Sequence, residues 1–249
     1  MADTKRILLV VAYDGTDYHG WQAQDGKKTI EGELNSAITK LTGNETEVIG
    51  ASRTDAGVHG LCNLAVFDTD MNIEPSNISR ALNSILPDDI VVRRSLEVDP
   101  DFHPRKRKTS KTYRYKIDNE SYPDPLKTRY AWFVSYELDI EKMSRAAGYL
   151  LGEHDFSSFC TAGSTAQTHV RSVESIEITK NGPDICIDVT GGGFLYNMVR
   201  IIAGTLVDVG RGRIEPERVK DILESKDRTK AGLTAPPQGL MLMNIEWDM

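Results

Sequence analysis

An unbroken apolar run from Ile7 to Ala12, too short for an ordinary helix and ended by Tyr13-Asp14-Gly15, predicts a buried strand. Behind it Ile30, Leu34, Ala37, Ile38 and Leu41 recur at helical spacing, with Thr29 placed to cap the helix N-terminus. Val48 to Ser52 and Leu61 to Phe67 predict two strands. Ile78, Ala81, Leu82, Ile85 and Leu86 predict a second helix closed by Pro87, and Ile90 to Val98 a last strand. The order is β-α-β-β-α-β.

The second half repeats much of that order. Lys111 to Ile117 alternates as a strand, with a further one around Arg129 to Val134, and Ile140, Met143, Ala146, Ala147, Leu150 and Leu151 mark a helix. Val173 to Thr179 and Ile185 to Val189 read as a hairpin around Asn181-Gly182. A long apolar helix over Leu195 to Val209, a charged helix over Glu217 to Leu223 and a strand over Leu240 to Trp247 complete the chain. The pattern predicts an α+β fold of two fused ferredoxin-like units, βαββαβ as in RRM modules. Each unit would have an antiparallel sheet covered by helices on one face, and the two uncovered faces would form a central RNA-binding cleft. The first unit is expected to span residues 1–104 and the second, with a basic strand, residues 105–249.

A length of 249 residues, 39% hydrophobic and 27% charged, fits a soluble globular protein, and no apolar run approaches a membrane span. Three well-separated cysteines, Cys62, Cys160 and Cys186, without CxxC spacing predict reduced thiols in a cytoplasmic protein and no metal site. The net charge of −7 conceals a segregation: Arg105 to Lys116, RKRKTSKTYRYK, holds seven basic residues and no acid. Such a stripe can hold phosphates on a body that otherwise repels them, and Tyr113 and Tyr115, interleaved with the charges, favour RNA or DNA contact over a merely solvated edge strand.

One loop stands out chemically. GASRTDAGVHG, Gly50 to Gly60, sets a single carboxylate, Asp55, two residues after Arg53 in a small-residue connection between predicted strands. Spacing alone leaves two readings of it. Asp55 is either an Asx-turn acid salt-bridged to Arg53, or an ionised nucleophile aimed from a rigid sheet at a sugar carbon. No second carboxylate is obviously paired with it, Asp14, Asp17 and Asp155 lying in other loops, and a catalytic Asp55 therefore suits a reaction that reattaches its leaving base better than hydrolysis. Elsewhere the motif tests are negative: Gly191-Gly192-Gly193 opens no phosphate loop, the five histidines are scattered, and HDFSSF has no nucleophile elbow.

Taken in order, YDGTDYHGWQAQ (13–24), GASRTDAGVHG, ALNSILPDDI (81–90), FHPR with SKTYRYKI, HDFSSF (154–159), GGGFLYNMVRIIAGTL (191–206) and APPQGL (235–240) resemble the bacterial tRNA pseudouridine synthase A family over nearly the whole chain. The resemblance implies a cofactor-independent isomerase that turns uridine into pseudouridine in the anticodon stem-loop of tRNA, at positions 38 to 40, and works as a homodimer without metal. It implies Asp55 as the catalytic aspartate, Tyr113 as the residue packed on the target base, Arg53 as the arginine that opens the base stack, and Arg200, in NMVR, as the partner that keeps the aspartate ionised. Arg105, Lys106, Arg107, Lys108 and Lys111 are expected on the RNA backbone. Ser52 replaces the family's common glycine, the stripe is more basic than usual, and FCTAGSTAQTHVRSV lacks the usual basic, cysteine-containing pattern. These departures leave room for a paralogous synthase acting on another RNA site. A non-catalytic RNA-binding factor and an N-glycosidase that releases base to water are the competing classes.

Overall fold

The computed structural model describes residues 4–106, 109–161, 163 and 166–247. The chain has a mixed α/β architecture and divides into two compact units, Met1–Thr109 with Leu242–Met249 and Ser110–Met241. Residues 242–247, expected at the end of the second unit, thus lie with the first.

The first unit runs β1 (Lys5–Tyr13), α1 (Ile30–Thr42), β2 (Ile49–Gly50), β3 (His59–Thr69), α2 (Pro75–Asn83) and β4 (Ile90–Val98). β1 is central, antiparallel to β3 on one side and β4 on the other, while the short β2 also pairs with β3. Ile7, Leu9 and Val11 of β1 join Ile30, Leu34 and Ile38 of α1 and Ile78 and Leu82 of α2 in one core. Leu8, between them, is also fully buried, so β1 is apolar on both faces and reads as a run rather than an alternation. Thr29 caps α1 through Gly32 N–H, as its position predicts. α2 begins at Pro75, where a missing N–H costs nothing, and ends at Asn83. The Asn83 side chain then bonds both N–H and C=O of Val92, tying the helix to β4.

The second unit contains β5 (Thr109–Asp118), β6 (Trp132–Phe133), α3 (Ile140–Gly148), β7 (Gly152–Asp155), β8 (Val170–Asn181), β9 (Asp184–Gly191), α4 (Met198–Gly210) and α5 (Arg218–Ser225); β10 (Leu240–Trp247) follows and lies mostly in the first unit. β5 pairs antiparallel with β9, β9 with β8 and β8 with β7. The β8–β9 hairpin turns at Gly182, whose φ of 58° is the left-handed conformation that its sequence position demands. β7, GEHD, has no apolar period and is not foreseen by the pattern. α4 is buried nearly all round. Gly204 lets segment 232–235 lie against it, since a Cβ there would come within 2.0 Å of Leu233 O.

No helix among the described residues is long and apolar enough to cross a membrane.

Candidate active site

The Arg53–Asp55 loop is built by the stretch that precedes α1. Trp21 N–H donates to Thr54 O at 3.0 Å and Gly57 N–H to Tyr18 O at 3.3 Å. The Tyr13 and Thr54 hydroxyls share a buried hydrogen bond of 2.8 Å, and Gly15 N–H donates to His59 Nδ1 at 3.1 Å. YDGTDYHGWQAQ and GASRTDAGVHG, far apart in sequence, therefore form one structure. The glycines permit the close approach: a Cβ on Gly15 would come within 2.0 Å of Val58 O, and one on Gly50 within 2.3 Å of Trp21 Nε1. A main-chain bond from Val58 N–H to Asp55 O, with Gly57 at φ 76°, closes the turn around the acid.

Asn63 is a site residue that sequence reasoning missed. It sits on β3, wholly buried, and its amide imitates a strand backbone. Oδ1 accepts from Ser52 N–H at 3.2 Å and from Leu64 N–H at 3.0 Å, and Nδ2 donates to Ser52 O at 2.9 Å and Tyr13 Oη at 3.4 Å. The signal was a polar amide inside the apolar run Leu61 to Phe67. This exchange also explains why β2 stops at Gly50 instead of reaching Ser52: past Ala51, the strand partner is a side chain.

The loop separates its two charged residues. Arg53 is exposed and donates to Gln22 Oε1 at 3.4 Å, and no ion pair joins it to Asp55. The direct salt-bridge reading of R-T-D therefore fails. Asp55 is half-buried between exposed Ala56 and buried Thr54. Beside the loop, burial and a 2.5 Å hydrogen bond to Asp89 push the Tyr18 hydroxyl well above the usual phenol range, so it stays a donor.

Tyr113, Lys111 and Arg200 belong to the second unit. Tyr113 stands opposite Val189 in the β5–β9 ladder, largely buried, with its ring edge-on to Phe194 at 5.3 Å between centroids. Tyr115 shares its face but is fully buried, its hydroxyl donating to Pro236 O at 2.8 Å, and burial raises its pKa. It can stack on no base, and the interleaving of tyrosines with charges is only the two-residue period of a strand. On the other face Arg114 is held by both oxygens of Asp188 at 2.7 and 2.6 Å, so its charge is already neutralised. Arg105 and Lys106 are exposed in a turn before β5 and Lys111 is half-buried on the strand, while Arg107 and Lys108 lie outside the described residues.

Arg200 projects from the first turn of α4. Its Nε donates to Ala235 O at 2.7 Å and an Nη to Asn197 Oδ1 at 2.7 Å. In HDFSSF the aspartate is structural: Lys226 and then Ser157 hydrogen-bond Asp155 and hold its pKa down to about 2. Among the described residues no group of three or more His, Cys, Asp or Glu is arranged to hold a metal ion.

A family model described as tRNA pseudouridine synthase matches residues 9–105 and 146–248. The chain is 50% identical over 241 residues to tRNA pseudouridine synthase A of Thermoanaerobacter sp. (strain X514), covering 97% of this chain and 99% of that protein. The namesake from Acetivibrio thermocellus is 46% identical over the same shares, and that from Bacillus subtilis (strain 168) is 43% identical over 98% of this chain and 99% of its own. Among solved structures, that of an archaeal box H/ACA sRNP Nop10-Cbf5 complex aligns at a TM-score of 0.36 and 13% identity, over 90% of this chain and 59% of that one, a likeness too slight to carry an argument.

Proposed function

The chain belongs to the tRNA pseudouridine synthase family and is an isomerase that forms pseudouridine in tRNA, and from that premise we propose that it acts on the anticodon stem-loop, at positions 38 to 40, with Asp55 as the catalytic carboxylate. The observation that carries the reading is the R-T-D loop itself: main-chain and buried side-chain bonds fix it from three directions, yet its arginine and its acid are not paired with each other. The two units are read as ferredoxin-like modules whose sheets frame an RNA cleft. The strand order of the first, with β1 between β3 and β4 and β2 beside β3, supports this. The enzyme is further read as a cytoplasmic homodimer that needs no cofactor.

The C1′–N1 bond of a stacked nucleotide is out of reach, so the target base must leave the helix, at a cost of a few kcal/mol. Arg53, exposed and hydrogen-bonded to the Gln22 side chain, is suited to enter the vacated stack. Tyr113, fixed edge-on by Phe194, offers the extruded uracil a flat partner worth on the order of 1–3 kcal/mol. Asp55 promotes cleavage of the glycosidic bond, the uracil turns in place, and its C5 bonds to C1′ while the proton displaced from C5 moves to nitrogen. The isomerisation takes nothing up and releases nothing. Arg200 is assigned to holding Asp55 as a carboxylate.

Chemical mapping of pseudouridine after incubation with tRNA transcripts tests the reading. Conversion is expected in transcripts carrying uridine at 38, 39 or 40 and lost when those positions are cytidine. Modification at another position would make the chain a synthase of different site preference, and release of uracil would identify a glycosidase.

The charge pattern gives a second expected outcome. Replacing Arg105 and Lys106 with Gln should reduce the slope of log affinity against log salt by about 1 for each phosphate no longer neutralised, whereas Arg114→Gln should leave it unchanged because Asp188 already neutralises that guanidinium. Binding titrations from low to moderate salt measure both slopes. Equal slopes for wild type and the Arg105/Lys106 variant would make those residues a solvated turn.

A further inference from the structure

Resting on the assignment of Arg200 above, we propose that Asn197 is a positioning residue for the reaction, orienting the Arg200 guanidinium from the N-terminus of α4. Asn197 precedes the helix with φ 60°, a left-handed conformation that Asn and Gly tolerate and most residues do not. Its side chain makes no helix cap, the usual role of an Asn at that position. The amide is instead committed at both ends. Oδ1 accepts from an Arg200 Nη at 2.7 Å, and Nδ2 donates to Thr161 Oγ1 at 3.0 Å.

These two bonds fix which end of the amide faces the arginine. A guanidinium has only donors, so the oxygen must face it, and Thr161 supplies the acceptor that the amino group then needs. Thr161 is anchored in turn by its N–H, which donates to Tyr196 O at 3.3 Å. Ala235 holds the same arginine from the other side, its O accepting from Nε at 2.7 Å and its N–H donating to Arg200 O at 3.1 Å. The guanidinium is therefore clamped at two of its nitrogens. Of these two holds, only the one from Asn197 is made by a side chain, and so only it is open to clean substitution. The strained backbone and the forgone cap have one explanation: at φ 60° the cap position serves Arg200 instead of the helix end.

The experiment uses the full chain and single-turnover conversion of a tRNA transcript. Asn197→Gly keeps the left-handed backbone and removes the clamp, and should slow conversion about tenfold to a hundredfold with transcript affinity within about twofold of wild type. Asn197→Asp restores an acceptor for Arg200 and should recover most of the rate, which a role in folding alone would not produce. Arg200→Lys, measured alongside, sets the scale, and combining it with Asn197→Gly should add little further loss. An Asn197→Gly enzyme as fast as wild type beside a slow Arg200→Lys enzyme overturns the role of Asn197 and leaves that of Arg200 standing, as does an Asn197→Asp enzyme as slow as the glycine variant. If Arg200→Lys is itself as fast as wild type, the assignment of Arg200 fails and the positioning role falls with it. Thermal unfolding of each variant separates a slow enzyme from an unfolded one: a glycine variant that melts below the assay temperature, with the aspartate variant folded and slow, also overturns the proposal.

Discussion

Asp55→Asn is expected to lower pseudouridine formation by about a thousandfold or more, on the order of 4 kcal/mol of transition-state stabilisation, while transcript affinity changes by no more than about threefold. The substitution keeps the size and shape of the side chain and removes its charge. It should spare the loop, because the turn at this position is made by main-chain atoms, Val58 N–H to Asp55 O at 3.1 Å, and by Thr54, whose carbonyl and hydroxyl are held by Trp21 and Tyr13. What disappears is a carboxylate that can stabilise or capture charge at the anomeric carbon. Single-turnover kinetics and a binding titration on the same transcript measure the two quantities separately. A variant that converts uridine at the wild-type rate removes Asp55 from the chemistry.

Asn63→Leu should be the most damaging substitution away from the charged residues. Leucine fills nearly the same volume but removes the two Asn63 bonds to Ser52 N–H and C=O in a buried site, at about 1–3 kcal/mol for each bond lost. A loss of about 2–5 kcal/mol, or roughly 5–15 °C in Tm, is expected. Activity well below the new Tm should also fall, by tenfold or more, because Ser52 is the residue from which Arg53 and Asp55 are hung. A melting scan and a rate at low temperature decide between a stability role and a site role: full activity in the folded variant would confine Asn63 to stability.

How much of this was legible depended on periodicity. Helices α1, α3 and α4 and strands β1, β3 and β4 announced themselves because each buries a face or a run wide enough to leave a period of 3.6, of 2, or an unbroken stretch. β7 did not, because GEHD is held by its ladder to β8 and not by apolar side chains. α2 stops before the apolar Ile85 and Leu86 because Asn83 and Ser84 turn their side chains to backbone groups, Asn83 to Val92 and Ser84 to Ala81 O.

The candidate site was legible as a string and not as a structure. Arg53 and Asp55 are adjacent enough in sequence to suggest a pair, yet the loop sends Arg53 to Gln22. Tyr113 and Tyr115 look equivalent in RKRKTSKTYRYK, and only their surroundings, Phe194 for one and the Pro236 carbonyl for the other, separate the proposed base partner from a core residue. Asn197 and Thr54 carried no signal of their own, and Asn63 only that of an amide in an apolar run, because what these residues do depends on partners supplied by distant segments.

Because residues 242–247 sit in the first unit, where β10 lies beside β3, that unit cannot be completed until all of residues 110–241 have been made. On a ribosome working at about 5–20 residues per second, the segment carrying Asp55 emerges early, but all of residues 110–241 must follow before its last strand exists, a wait of roughly 7–26 s. Throughout that interval the stretch of β3 that neither β1 nor β2 covers has no final partner and is a template for pairing with other nascent chains. The unit that carries Asp55 is therefore begun long before its last strand can close it.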